Sequence, residues 1–479
     1  MVRKKRREGG LTSNQVSMMK HTTDKQLGYR FGAVVSGAML AAVFSLGVTN
    51  PANAQSFKEA LSMAYKGNPT IAAARADLRA VDELVPQARG GYLPTISGQA
   101  AVGISDTDTD PGGSDTIEPR SGSIEVTQFV FRGGRTIAEI EGAESNVLAQ
   151  RGALNDTTQQ ILLSAAAAYF DVVRDQAVVE LNLNNVGVLE RQLQASQDRF
   201  DVGEVTRTDV SQSESRLARA VSDRIAAQGN LDISRSAFAR VVGQAPEILE
   251  QPALDIPVPA TLEEAVAIAI DNNPVVKAAR AAERAASSGI DAEFADLLPN
   301  ISLRASASRN DDVSIFTDRT EELQVTATLN IPIYQAGVAS AQVRQAKHEA
   351  ASQRRRVDEA IRQATDETIR AWEALESATA QIVSRDAEVA SAEIALDGVR
   401  QEALVGSRTT LDVLDAEQEL LDAQVSQVTA VRDRSIALFQ LLAAIGSLSP
   451  RAIGLDVDVY NPDEHYEQVR NKLWGVSVD

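Results

Sequence analysis

The chain has 479 residues, 66 of them acidic and 47 basic, with no cysteine and only 4% aromatic residues. A chain this acidic does not hold nucleic acid by bulk electrostatics. Without cysteine it has neither a disulfide framework nor a lipid-modified N-terminal cysteine. The N-terminus departs from this average. Arg3, Lys4, Lys5, Arg6, Arg7, Lys20, Lys25 and Arg30 precede an apolar run, FGAVVSGAMLAAVFSLGV, over 31–48. PANAQ follows, with Ala52 and Ala54 as the small residues of an A-x-A site. The pattern predicts a secretory signal peptide over 1–54, cut between Ala54 and Gln55. Met18 and Met19 are alternative starts, and Arg6-Arg7 lacks the continuation of a twin-arginine signal. The apolar run is also just long enough for an uncleaved anchor, but the A-x-A site at the right distance favours cleavage. Removing 1–54 takes away 8 basic and 2 acidic residues, leaving 39 against 64 and a net charge of −25.

The rest of the chain is written twice. SFKEALSMAYKGNPTIAAARADLRA (56–80) aligns with TLEEAVAIAIDNNPVVKAARAAERA (261–285). Glu59, Asn68, Pro69, Arg75 and Arg79 recur as Glu264, Asn273, Pro274, Arg280 and Arg284, a constant offset of 205. Leu93-Pro94 and Leu298-Pro299 keep that register. Beyond a loop two residues shorter in the second copy, Gly134, Gly203 and Gly243 match Gly337, Gly406 and Gly446. A period near 200 is too long for a solenoid and marks duplication of a domain-sized unit. The predicted organisation is a first repeat over 55–243, a proline-rich linker over 244–261, a second repeat over 262–446 and a C-terminal tail over 447–479.

Each repeat reads in the same order. Helices before and after the Asn-Pro step lead to a β-hairpin, at about 94–131 and about 299–333. A long helix follows, at about 135–200 and about 338–403, then a glycine turn and a return helix at about 206–242 and about 409–445. In the second repeat Ile301, Leu303, Ala305 and Ala307 alternate with polar residues, as do Leu323, Val325, Ala327, Leu329 and Ile331. That is period two, one apolar and one polar face. The first repeat alternates more weakly, and its strands are joined by SDTDTDPGGSDTIEPR, an acidic turn-rich loop. No proline interrupts 120–245 or 333–449, so each long helix can run unbroken for about 100 Å. Alternating steps of four and three from Val357 to Ala403 meet apolar residues at twelve of fourteen positions, and from Leu154 to Phe200 at ten of fourteen. A sustained 3.5-residue repeat predicts supercoiled helices packed side by side.

Two amphipathic hairpins are too small for an independent sheet and leave open edges. Strands apolar on one side and polar on the other suit a barrel with lipid outside and water inside. Four strands cannot close one, so several chains must contribute. A soluble periplasmic coiled-coil protein, its hairpins capping the helices, is the alternative.

Over nearly its whole mature length the chain resembles the TolC family of trimeric outer-membrane channel-tunnels. The resemblance rests on the duplication, the Asn-Pro step, LPTIS and LPNIS before the first strand of each hairpin, FRGGR and YQAGV after the second, and the two Val-Gly turns. The tail, GLDVDVYNPDEHYEQVRNKLWG, is similar to members serving type I secretion. The family implies an α+β membrane protein. Long antiparallel coiled-coil helices form an α-barrel, and two β-hairpins per chain contribute to a shared trimeric 12-stranded transmembrane β-barrel. Linker and tail would form an equatorial belt.

The resemblance also assigns residues at the far ends of the long helices. Asp412 and Asp415 match a pair of pore-entrance aspartates, which in a trimer form two stacked carboxylate rings. Such rings attract cations, resist anions and raise one another's proton affinity. Arg408 matches an arginine that holds the entrance shut against Thr208 and Asp209. The family's tyrosine latch is replaced here by Ala403. Val202, Gly203 and Glu204, with Val405, Gly406 and Ser407, match the tips that meet an adaptor. Spacing alone gives a second reading: Thr409 with Asp412 at N3 is a helix capping box, and Gly203 and Gly406 are helix-terminating glycines.

Other chemistry is not indicated. Past the leader the histidines are His348 and His465, far apart in sequence, with no metal-ligand spacing. Gly133-Gly134 lacks the Lys-Ser/Thr of a phosphate loop. No cofactor and no enzymatic activity are expected. The predicted function is a passive exit duct in the outer membrane, serving type I protein secretion and/or efflux. Its predicted partners are two further copies of itself, a periplasmic adaptor, an inner-membrane ABC or other transporter, and outer-membrane lipid. Small-molecule efflux alone is the nearest alternative; a soluble periplasmic structural or adaptor protein is the alternative of another class.

Overall fold

A computed structural model describes residues 56–254, 256–314 and 317–477; the predicted leader and its cleavage site at Ala54 and Gln55 lie outside them. The first repeat opens with α1 (Phe57–Gly67), α2 (Pro69–Asp82) and α3 (Leu84–Arg89). It continues with β1 (Thr95–Val102), β2 (Ser105–Thr109), β3 (Gly113–Ile117) and β4 (Arg120–Arg132), then α4 (Arg135–Asp201) and α5 (Arg207–Val242). The second has α6 (Leu262–Asn272), α7 (Pro274–Phe294), β5 (Asn300–Ser314), β6 (Thr317–Asn330), α8 (Val338–Leu404) and α9 (Thr410–Ala444). A short helix, α10 (Pro462–Val469), lies in the tail.

The Asn-Pro step has a double purpose in each repeat. Proline at the first turn gives up an N–H that the helix does not need there. The asparagine caps the helix: the Asn68 side-chain oxygen accepts from the Thr70 N–H at 2.9 Å, and that of Asn273 from the Val275 N–H at 2.9 Å. The amide nitrogen of the same side chain donates to the end of the return helix. Asn68 reaches the Val241 carbonyl at 3.1 Å and Asn273 the Ala444 carbonyl at 3.0 Å. Both asparagines are buried. One side chain thus satisfies backbone groups on two helices whose residues are far apart in sequence.

The seam read from the sequence is the packed face of α8. All fourteen positions from Val357 to Ala403 are buried or half-buried, with Ala364, Thr368, Ala371, Ala378 and Leu396 buried. On α4 the seam buries four polar residues, Thr158, Asp175, Asn182 and Ser196. Asp175 accepts from Arg174 Nε at 2.8 Å, and Asn182 donates to the Val178 carbonyl at 2.8 Å. The main core lies where α1 meets α4, α5 and α9. Phe57 meets Tyr169 and Phe439 edge to face and Phe170 at a tilt, with ring centroids 5.1, 5.3 and 5.2 Å away. Linker and tail close this core with Leu249, Leu448, Ile453 and Leu455, and the Tyr169 hydroxyl donates to the Glu250 carbonyl at 2.8 Å.

The two hairpins join into one antiparallel sheet of order β1-β4-β5-β6. The segment 105–117, an acidic loop on the sequence reading, instead pairs as the two-stranded β2–β3 ribbon. The Ser114 and Thr116 hydroxyls donate to Asp106 across it, at 3.0 and 3.2 Å.

Candidate functional site

The cross-strand register aligns the alternation of all four strands. Ile96 lies beside Val126, Val126 beside Ala305, and Ala305 beside Val325. In the next apolar row Ile124, Ala307 and Leu323 are neighbours. The polar face carries Ser97, Glu125, Ser306 and Gln324 in one row, and Glu125 meets Arg304 at 3.4 Å. The apolar face is uncovered: Ile96 is 71% exposed, Val325 74% and Leu323 81%. From Leu323 to Ile331 the chain rises eight residues, about 27 Å at about 3.4 Å each. Tilted by about 40°, that spans about 21 Å, close to the roughly 25 Å apolar band of a transmembrane barrel. Where sheet gives way to helix, Tyr92, Phe129, Phe131 and Tyr334 are exposed, as aromatic residues are at a membrane–water boundary. Among the described residues no helix is long and apolar enough to cross a membrane. At the two sides of the sheet β1 and β6 each leave one edge unpaired.

At the opposite ends of α4 and α8 the two Val-Gly turns repeat one another. Gly203 has φ +78° and Gly406 φ +76°, a conformation that costs glycine little and other residues more. The Gly203 N–H donates to the Phe200 carbonyl at 2.9 Å and that of Glu204 to the Arg199 carbonyl at 2.8 Å; Gly406 and Ser407 donate to Ala403 and Glu402 at 3.1 and 3.0 Å. These bonds occupy the last carbonyls of each helix. Val202, Gly203, Glu204, Val405, Gly406 and Ser407 are all exposed. An ion pair braces each turn, with opposite polarity. Arg199 on α4 meets Glu204 beyond the turn at 3.2 Å, while Glu402 on α8 meets Arg408 beyond it at 2.8 Å.

The return helices then begin on matching capping boxes. The Thr206 N–H and hydroxyl donate to one Asp209 oxygen at 2.8 and 2.7 Å. Thr409 does the same to Asp412, at 2.8 and 2.7 Å. The Asp209 and Asp412 N–H groups donate in return to the Thr206 and Thr409 hydroxyl oxygens, at 3.4 and 3.2 Å. The Thr206 hydroxyl, then its N–H, holds the Asp209 carboxyl below the usual range. For Asp412 the Thr409 N–H comes first, then its hydroxyl. Within one chain the shift is downward, opposite to the rise expected of clustered carboxylates.

The structure does not group the sequence-predicted residues as the resemblance does. Arg408 bonds to Glu402 of its own hairpin, and this raises its affinity for the proton. Asp209 is occupied by Thr206, and Thr208 is exposed. Among the described residues no contact joins Arg408 to Thr208 or Asp209. Asp415 projects beyond the capping box and is paired with Arg216 of α5, a residue that sequence reasoning missed. Next along α9, Glu417 accepts from Arg400 Nε of α8 at 3.1 Å. No group of metal-ligating side chains occurs among the described residues.

Comparison with known proteins fits this geometry. A profile of the family described as outer membrane efflux protein matches residues 60–244 and again 265–447. The outer membrane efflux protein BepC of Brucella suis biovar 1 is 36% identical over 423 residues, 87% of this chain and 91% of that one. Outer membrane protein TolC of Vibrio cholerae is 26% identical over 85% of this chain and 93% of its own. The alkaline protease secretion protein AprF of Pseudomonas aeruginosa matches a shorter stretch, 27% identical over 56% of this chain and 57% of its own. The solved structure of CusC superposes with a TM-score of 0.75 at 20% identity, over 82% of this chain and 92% of that one. Its description concerns folding and transmembrane channel formation. A chain matched across both of its halves belongs to the family: this protein is a member of the outer membrane efflux protein family, an outer-membrane channel protein and not an enzyme.

Proposed function

We propose that three copies of this chain form a passive exit duct that crosses the outer membrane and reaches into the periplasm. The observation that carries this reading is the four-stranded sheet with one uncovered apolar face and two open edges. In lipid, the unpaired N–H and C=O groups of β1 and β6 have no water to bond. Pairing β6 of one copy with β1 of the next satisfies both edges, and three such joints give a barrel of twelve strands. The long helices continue each protomer from the barrel as a tunnel, and the Val-Gly turns form its entrance. There Asp412 and Asp415 contribute carboxylate rings, Arg408 with Thr208 and Asp209 restrains opening between hairpins, and the exposed turns receive a periplasmic adaptor. Motive force comes from an inner-membrane transporter, of the ABC or another class. A signal peptide cut after Ala54 delivers the chain.

Cargo is read as protein exported by type I secretion, small molecules, or both. The tail sequence and the likeness to AprF favour secretion, while the likeness to BepC favours efflux. The test is membrane extraction followed by planar-bilayer recording. The expected result is a detergent-requiring trimer that forms small cation-preferring pores. Arg408→Ala enlarges the pores, and Asp412→Ala with Asp415→Ala removes the preference. A monomer soluble without detergent overturns the duct and leaves a periplasmic coiled-coil protein.

A further inference from the structure

A second feature lies away from both sheet and turns, where the tail crosses the first repeat. A cleft of about 140 Å³ opens between α2, α4 and the tail, with Arg75, Arg151, Arg451 and Tyr460 in its lining. The Arg75 guanidinium carbon stands 4.8 Å from the ring centre of Tyr65 and 5.2 Å from that of Tyr460. Stacked contacts of this kind engage the flat face of a guanidinium and leave its N–H edge for an acceptor. Arg75 has no such acceptor among the described residues. Arg151 gives one nitrogen to Asp463 at 2.7 Å and another to the Pro462 carbonyl at 3.3 Å, but its Nε is buried without a partner. The Tyr460 hydroxyl is likewise buried and unpaired.

Charge sharpens the point. Of the three lining arginines only Arg151 has a carboxylate partner, so the cleft is cationic inside a strongly acidic chain. The buried Asp82, whose charge acts on Arg151 and Tyr460, bonds to His465 through one oxygen at 3.0 Å and keeps its other oxygen buried without a partner. Unpaired buried donors are costly, and the cleft lining holds two, Arg151 Nε on α4 and the Tyr460 hydroxyl in the tail, with the half-buried Arg75 on α2 beside them. A planar carboxylate is met by a single guanidinium fork. Donors arriving from three directions match a tetrahedral acceptor instead.

We propose that this cleft binds a small tetrahedral oxyanion, phosphate or sulfate, between Arg75, Arg151 and Tyr460. The bound ion accepts from all three segments and staples the tail to the first repeat. No covalent step is involved, and the site is independent of the duct reading.

The test is calorimetric titration of the detergent-solubilised full-length protein with sodium phosphate, sulfate and acetate. Sodium chloride holds the ionic strength constant, and trypsin cleavage of the tail is followed in parallel. Phosphate and sulfate are expected to bind saturably and to slow tail cleavage, with acetate at least tenfold weaker. Arg75→Gln is expected to lose at least tenfold in phosphate affinity. Tyr460→Phe keeps the ring stack and removes only the hydroxyl; it is expected to lose affinity several-fold while its melting temperature without phosphate stays within a few degrees. Acetate binding as tightly as phosphate overturns the tetrahedral assignment. Absence of saturable heat in the wild type, or unchanged affinity in both variants, overturns the site and leaves ordered water to satisfy those donors.

Discussion

Arg216 on α5 and Asp415 on α9 form an ion pair that ties the two return helices together just above the turns. Their positions are 199 residues apart in sequence. An exposed pair of this kind is worth about 0–1 kcal/mol, so its weight lies in the charge it neutralises. Arg216→Gln is expected to leave the melting temperature within about 2 °C, consistent with so small a term. In planar bilayers it is expected to raise the cation preference, because Asp415 then presents an uncompensated charge. Reversal potentials in a salt gradient check this, and an unchanged selectivity would remove Asp415 from the conduction path.

The capping boxes respond to acid in one direction. Asp209 and Asp412 are held below the usual carboxylate range in the folded chain. A depressed folded value means the stabilisation is present above the unfolded value, about 4. It is lost as pH falls through the folded one. First-turn amides of α5 and α9 are therefore expected to stay protected at neutral pH and to lose protection only in strong acid. Thr206→Ala removes the first cap at any pH, at a cost of roughly 1 kcal/mol. Amide exchange read by mass spectrometry as a function of pH separates the two effects.

Replacing Asn68 or Asn273 by alanine strands a carbonyl at the end of the return helix and uncaps the helix after the proline. Each change is expected to cost about 1–3 kcal/mol. The two sites share no partner, so the double variant should lose close to the sum. Denaturant unfolding of the two single variants and the double variant measures this. A double variant no worse than either single one would mean the two steps unfold as one unit.

Val325 and Gln324 are sequence neighbours on opposite faces of β6. Val325→Arg sets a cation on the apolar face, which costs about 2–4 kcal/mol per chain at the centre of a bilayer. Gln324→Arg sets it on the polar face, where Glu125 and Arg304 already lie. Insertion into liposomes is expected to fail for the first and to proceed for the second. Equal insertion by both would show that the apolar face does not meet lipid.

What was legible in the sequence followed from periodicity. The seam from Val357 to Ala403 coincides with the packed face of α8, because a 3.5-residue repeat leaves little choice of face. The strands β5 and β6 were legible for the same reason, with a period of two. The β2–β3 ribbon was not, since its residues are acidic and turn-forming with no apolar alternation; its order comes from backbone pairing and the Asp106 bonds. The Asn-Pro steps stood out as a motif, but nothing local to Asn68 points to the Val241 carbonyl. Arg216 was invisible because its partner belongs to the other repeat. The capping role of Thr409 and Asp412 needed only the four residues from Thr409 to Asp412.

The sheet has two unlike ends. β6 offers fourteen residues at one edge and β1 eight at the other, so in the proposed ring the joint between copies is asymmetric and each copy can be extended from either side. A free peptide with the sequence of β1, TISGQAAV, fits the β6 edge as the next protomer would, yet carries no further edge partner of its own chain. Such a peptide would act as a chain terminator for ring closure, leaving monomers and dimers. Its potency would report how much of the assembly free energy resides in that single seam.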